Sequence, residues 1–152
     1  MLTLERPALD EILSHARTTH PEECCGAILQ TPQRQIVRQF TNIQNRLHAA
    51  DPANNPRDAR TAYMPESREL LAVLREGESA ETRLLAFYHS HTKAGAYFSG
   101  EDRARAMFGD EPAYPEVIYV VVSDNRVSGE TRAFQWDDGA RDFPELALVI
   151  RG

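Results

Sequence analysis

The chain reads as a mixed α/β domain, a central sheet flanked by helices, and three observations predict it. Short apolar runs bounded by turn residues recur along the sequence, the strongest being residues 116–123, EVIYVVVS. Between such runs lie segments whose apolar residues return at helical spacing. The 152 residues suit one domain, and a chain of that size buries roughly 68–70% of the surface its unfolded form exposes. It therefore needs no disulfide or structural metal to build a core, and a metal site here is read as chemical.

The elements follow in order. Residues 7–19 are expected to be a helix, with Pro7 near its start and Leu9, Ile12, Leu13 and Ala16 on one face. His20-Pro21 ends it, because the residue before a proline avoids the helical region. Residues 25–29 (CGAIL) form a buried strand and 36–40 its neighbour, across a turn at 30–34 that contains Pro32. Residues 42–60, polar and carrying Asn42, Pro52, Asn54, Asn55 and Pro56, are expected to be a long loop, and long loops often carry function. Tyr63-Met64 reads as a short edge strand, 65–75 as a second helix turning Leu70, Leu71 and Leu74 inward, and 83–89 (RLLAFYH) as a strand. A third helix spans 99–107, with Ser99 as N-cap and Glu101 and Asp102 in its first turn. Strands at 116–123, 127–136 and 146–150 complete a partly antiparallel sheet, with a turn at Asp124-Asn125.

Seventeen Lys+Arg against 23 Asp+Glu leave a net charge of −6, and the cations form no stripe. Nucleic acid and anionic membranes are therefore not the expected partners. No run approaches the ~20 apolar residues of a membrane span, and the opening MLTLERP lacks the apolar core of a signal peptide. The only cysteines, Cys24 and Cys25, are adjacent; neighbours rarely bridge each other, so a reducing cytoplasm is expected.

The segment that carries chemistry runs from His89 to Asp102, HSHTKAGAYFSGED. Alternate residues at a strand end face the same way, so His89 and His91 can offer two imidazoles to one ion. Asp102 lies on the first turn of the following helix, where a carboxylate is favoured. Two histidines and an aspartate leave the fourth tetrahedral position open for water, as a catalytic zinc requires, and the ion would lower the pKa of that water toward ~7. Glu23, just ahead of the CGAIL strand, is the candidate general base. Ser99 is the candidate hydrogen-bond donor to the carbonyl oxygen, and it can cap its helix at the same time.

The pattern H-x-H-x7-S-x-x-D, preceded by a glutamate ahead of a buried strand, resembles the JAMM/MPN+ metallopeptidases, above all their small prokaryotic members. The resemblance covers about residues 5–136 of a single 1–152 domain. It implies a cytidine-deaminase-like fold, one Zn2+ per chain, and hydrolysis of a peptide or isopeptide bond after the C-terminal diglycine of a ubiquitin-like or sulfur-carrier protein. Register with the family favours Glu23 over Glu22 as the base. Thr92 and Phe98 stand where the family usually has proline, and neither is a ligand.

Other residues receive plainer readings. His15, His20 and His48 are expected to be surface, cap or core residues, the cysteines small buried hydrophobes, and Trp136, Tyr119 and Val121 core. Arg57 and Tyr63 are candidates for a substrate groove. Two other functions compete: a non-catalytic MPN scaffold, which would lack the ligands retained here, and a zinc deaminase. His20-Pro21-Glu22 matches the H-x-E of a deaminase, but the required P-C-x-x-C does not follow, since no cysteine lies beyond Cys25. Oligomeric state is not legible in the sequence.

Overall fold

The computed structural model describes residues 1–152. In chain order the elements are β1 (Leu2–Glu5), α1 (Arg6–Thr19), β2 (Cys25–Gln30), β3 (Gln35–Phe40), α2 (Gln44–Ala50), α3 (Ser67–Glu76), β4 (Arg83–His91), α4 (Gly100–Ala106), β5 (Met107–Phe108), β6 (Glu111–Pro112), β7 (Ile118–Ser123), β8 (Thr131–Phe134), β9 (Glu145–Leu146) and β10 (Leu148–Arg151). Six strands make the central sheet, in the order β3-β2-β4-β7-β8-β9. All neighbours are antiparallel except β4 and β7, which run parallel. That pair is joined through α4, the crossover that parallel strands require.

Helices and a minor sheet cover the two faces, so the central strands read as continuous apolar runs rather than alternating ones. One face carries Ala27, Leu29, Phe87, Tyr119 and Val121 and is closed by Val73 of α3 and Ala106 of α4. The other carries Ile28, Ala86, Tyr88, Val120 and Val122 and is closed by Leu9 and Ile12 of α1 and by Leu2 and Leu4 of β1. No helix is long and apolar enough to cross a membrane.

Several expectations need correction. The long loop contains α2, a short helix that buries only Gln44 and so shows no apolar stripe. Tyr63-Met64 forms no strand; the bridge there joins Asn42 to Pro65. The expected strand at 127–136 shortens to 131–134, because Asp124 accepts the backbone N–H groups of Val127, Ser128 and Gly129 in a tight turn. The C-terminal strand divides: β9 joins the main sheet, whereas β10 pairs in parallel with β1 in a separate two-stranded sheet.

Candidate metal centre

The carboxyl end of β4 delivers both histidines to the face that α3 and α4 cover. His89 is 1% exposed and His91 5%, with Ser90 between them turned the other way. The Ser90 hydroxyl accepts the Cys24 N–H at 2.8 Å, and the Ser90 N–H donates to the Cys24 carbonyl at 3.1 Å. The residue after Glu23 is thereby clamped to the strand between the two histidines.

Asp102 enters from the first turn of α4. Its N–H donates to Ser99 Oγ at 3.0 Å, and the Ser99 N–H returns a bond to Asp102 Oδ2 at 2.9 Å, a closed capping box. The cap therefore aims the carboxylate as well as starting the helix. Phe98 anchors it by packing on Phe143, Tyr119 and Phe134, with ring centroids 5.0–5.5 Å apart. Thr92, the other departure from the family pattern, donates to the Arg60 carbonyl oxygen at 3.0 Å and ties the β4–α4 loop to the 57–61 segment.

The three candidate ligands converge. His89 Nε2 lies 3.1 Å from Asp102 Oδ1, His91 Nε2 lies 3.0 Å from Asp102 Oδ2, and the two Nε2 atoms are 3.3 Å apart. One donor atom from each falls within 4.8 Å of the others. Tetrahedral zinc with bonds of 2.0–2.1 Å needs ligand atoms about 3.3 Å apart, so the donor set fits that ion. His91 Nδ1 faces the Gly95 carbonyl at 2.8 Å. A carbonyl can only accept, so Nδ1 carries the proton and a neutral His91 presents a bare Nε2 lone pair. Tyr63 stacks on the His89 ring, with centroids 4.5 Å apart at 22°, and fixes its plane.

Electrostatics match a cation site. Burial opposes the charge on Asp102, but His89 and His91 beside it and the Ser99 N–H outweigh that effect and hold its carboxyl well below the usual range. Burial likewise opposes protonation of His91, yet Asp102 and the Gly95 carbonyl prevail and the net shift is upward. Glu23 behaves differently. It is 5% exposed, and its Oε1 is buried without a hydrogen-bond partner. Burial above all pushes its carboxyl up to about 8, with His91 pulling the other way. Its backbone is held at both ends: the N–H donates to the Ala59 carbonyl at 2.7 Å, and the carbonyl accepts from Asn42 Nδ2 at 2.9 Å. Glu22 instead accepts from Asn45 at 3.0 Å, away from the cluster.

Glu23, His91 and Ser99 line one cavity, together with Arg57, Tyr97 and Thr92. Ser99 Oγ accepts from Asp102 N–H, so its own hydrogen remains free to donate into that space. The remaining histidines lie elsewhere: His15 Nδ1 bonds the Tyr88 hydroxyl at 2.7 Å, His20 faces Asp124 at 3.4 Å, and His48 bonds the Asn55 carbonyl at 2.7 Å. Both cysteines are buried and free, and burial pushes the Cys24 thiol up to about 11. Of the two groove candidates, Arg57 reaches the cavity and Tyr63 acts instead behind His89.

Sequence reasoning missed three residues that build this arrangement, Gly95 beside His91 among them. Ser90, between the two histidines, received no role from its residue type. Asn42 looked like one loop residue among many, yet it bonds the Glu23 and Ala62 carbonyls and accepts the N–H groups of Gln44 and Met64.

Known proteins share this domain and its fold. Residues 5–137 match the family described as prokaryotic homologs of the JAB domain. The chain is 30% identical over 153 residues to a desampylase from Haloferax volcanii, covering 98% of this chain and 96% of that one. It is 30% identical over 146 residues to the CysO-cysteine peptidase of Mycobacterium tuberculosis, covering 92% and 86%. In fold it resembles a solution structure from Desulfitobacterium hafniense, with a TM-score of 0.71 at 20% identity over 99% and 93% of the two chains. It also resembles a JAB1/MPN domain protein from Archaeoglobus fulgidus, with a TM-score of 0.55 at 15% identity over 99% and 100%. A match that spans the helix, the glutamate-bearing strand, the histidine-bearing strand and the aspartate-bearing helix in one continuous stretch places the chain in the prokaryotic JAB (JAMM/MPN+) family.

Proposed function

We propose that the chain is a zinc-dependent peptidase that hydrolyses an amide bond at the C-terminal diglycine of a ubiquitin-like or sulfur-carrier protein. The observation that carries this reading is the convergence of His89, His91 and Asp102 within 4.8 Å, beside a buried glutamate whose Oε1 has no partner of its own. The two curated relatives, by name a desampylase and a CysO-cysteine peptidase, support the substrate class.

His89, His91 and Asp102 would hold the ion. Bound there, zinc supplies a Lewis acid that polarises a carbonyl and acidifies water. The chain's own groups do the rest. Glu23, buried beside the donor set with its Oε1 unpartnered, takes a proton from the attacking water and delivers it to the departing amine. Ser99 donates its hydroxyl hydrogen to the substrate oxygen as the carbonyl carbon becomes tetrahedral. Gly95 keeps His91 in the tautomer that ligation needs. Tyr97, set edge-on to His91 at 5.3 Å and lining the cavity, narrows the approach, which suits an extended glycine tail with no side chain to accommodate.

The test is cleavage of a diglycine-ending carrier bearing a short C-terminal extension, followed by mass spectrometry. The zinc-loaded wild type releases the extension, and Glu23→Gln retains zinc while losing activity by about 10^2-fold or more. Turnover by Glu23→Gln at the wild-type rate would remove Glu23 from the role of base.

A further inference from the structure

Two cations lining the same cavity take part in no salt bridge, although the Glu23 carboxylate close by feels the charge of Arg57. Arg57, Arg60 and Lys93 all line it, in a chain whose net charge is −6. Arg60 is already neutralised by Asp58, 2.7 Å away. Arg57 reaches only the Thr61 carbonyl oxygen, at 3.5 Å. Neither Arg57 nor Lys93 takes part in any ion pair. The segments that carry them are not loose ends. Thr92, next to Lys93, is bonded to the Arg60 carbonyl, and Ala94 on its other side accepts from the Ser123 hydroxyl at 2.7 Å. Gln44 Nε2 holds the Arg57 carbonyl at 2.9 Å.

We propose that Arg57 and Lys93 bind the free α-carboxylate of a leaving amino acid, so that this enzyme removes a single C-terminal residue from its substrate in preference to cutting an isopeptide bond. The proposal rests on the hydrolase reading above and names the kind of bond that site selects. Hydrolysis adds water across the amide: the C–N bond breaks, the acyl carbon gains the oxygen, and the nitrogen leaves as an amine carrying the proton. In a one-residue extension, the α-carboxylate is only two bonds from the scissile nitrogen. It cannot lie far from Glu23 and Ser99, which share a cavity of about 140 Å3 with both cations. In an isopeptide the same position is a methylene of the lysine stem, to which the cations offer nothing. The acyl side presents no free carboxylate before cleavage. The carboxylate that cleavage creates there is common to every substrate, so it cannot favour one over another.

The experiment compares four substrates built on one diglycine-ending carrier: extended by alanine as the free acid, by alanine amide, by glutamate α-amide, and joined through an isopeptide bond to a lysine side chain. The zinc-loaded wild type should favour the free acid over alanine amide and the isopeptide by about tenfold or more in kcat/KM, mostly through KM, since a charge-assisted pair is lost in each alternative. The Arg57→Gln/Lys93→Gln double variant should bring the acid-to-amide ratio close to one. Both side chains are exposed, and zinc content and circular dichroism check that the variant is folded. Equal cleavage of acid and amide by the wild type, or a preference that survives in the double variant, overturns the assignment while leaving the hydrolase reading intact. Glutamate amide cleaved as well as the free acid would show that the cations read an acidic side chain instead, and it also overturns the assignment. A zinc-loaded wild type that cleaves none of the four overturns both readings.

Discussion

Glu23 is caught between burial and use. A carboxylate held in a dry wall beside His91 and Asp102 keeps its proton longer than one in water, up to about 8 rather than the ordinary 4.5. Its folded form binds the proton more tightly than its unfolded form, so the stability this provides is complete below about pH 4.5 and is lost as pH rises toward 8. In metal-free protein, Glu23→Gln should be nearly as stable as wild type at pH 5. By pH 8 the variant should be the more stable by about 4 kcal/mol, read from urea unfolding at the two pH values. A difference that is the same at both would mean that burial of the carboxylate is not what shifts it. The identities of the clustered residues were legible in the sequence because two histidines at strand spacing and an aspartate in a helix's first turn make a pattern with few other uses. The supports were not. Ser90, Asn42 and Gly95 act through backbone bonds to partners that only the fold brings near, and nothing in a serine, an asparagine or a glycine announces that.

Among the elements, β2 shows how closely the sheet is fitted around the site. Gly26 lies opposite Tyr88 in the β2–β4 register, and the Tyr88 ring occupies the space a Cβ at Gly26 would fill. The tyrosine then reaches across to His15 of α1. A methyl group here must push the ring, its hydroxyl bond and the neighbouring strand, one residue from the histidine-bearing tip. Gly26→Ala should cost about 1–3 kcal/mol, measured as a lowered denaturant midpoint; a neutral substitution would show that Tyr88 moves aside freely. The main strands and helices α1 and α3 were readable from apolar periodicity, and α4 from its serine cap and acidic first turn. The segments that escaped it are those whose positions depend on distant partners. Helix α2 has no apolar stripe and is secured by Gln44, which bonds the Arg57 carbonyl and Arg105. Strand β1 is four residues long and pairs with β10 at the opposite end of the chain, a juxtaposition that local pattern does not contain.

At the scale of the whole molecule, the site occupies the carboxyl end of the parallel strand pair, where the β4–α4 connection opens the crevice that such topology leaves for ligands. Both sheet faces carry their own buried cluster, of 15 and 14 residues, so the fold has its core without an ion. The cluster of two imidazoles and a carboxylate is then free to serve chemistry, and its three donors have the spacing that a zinc ion would need. The account turns on that spacing. Its most direct test is the metal content of protein purified without chelator, then reloaded with zinc and desalted. The wild type and Glu23→Gln should each hold one zinc per chain, and His89→Ala and Asp102→Ala should hold almost none while keeping the wild-type circular dichroism. Full zinc occupancy in either ligand variant, or none in the folded wild type, would contradict it.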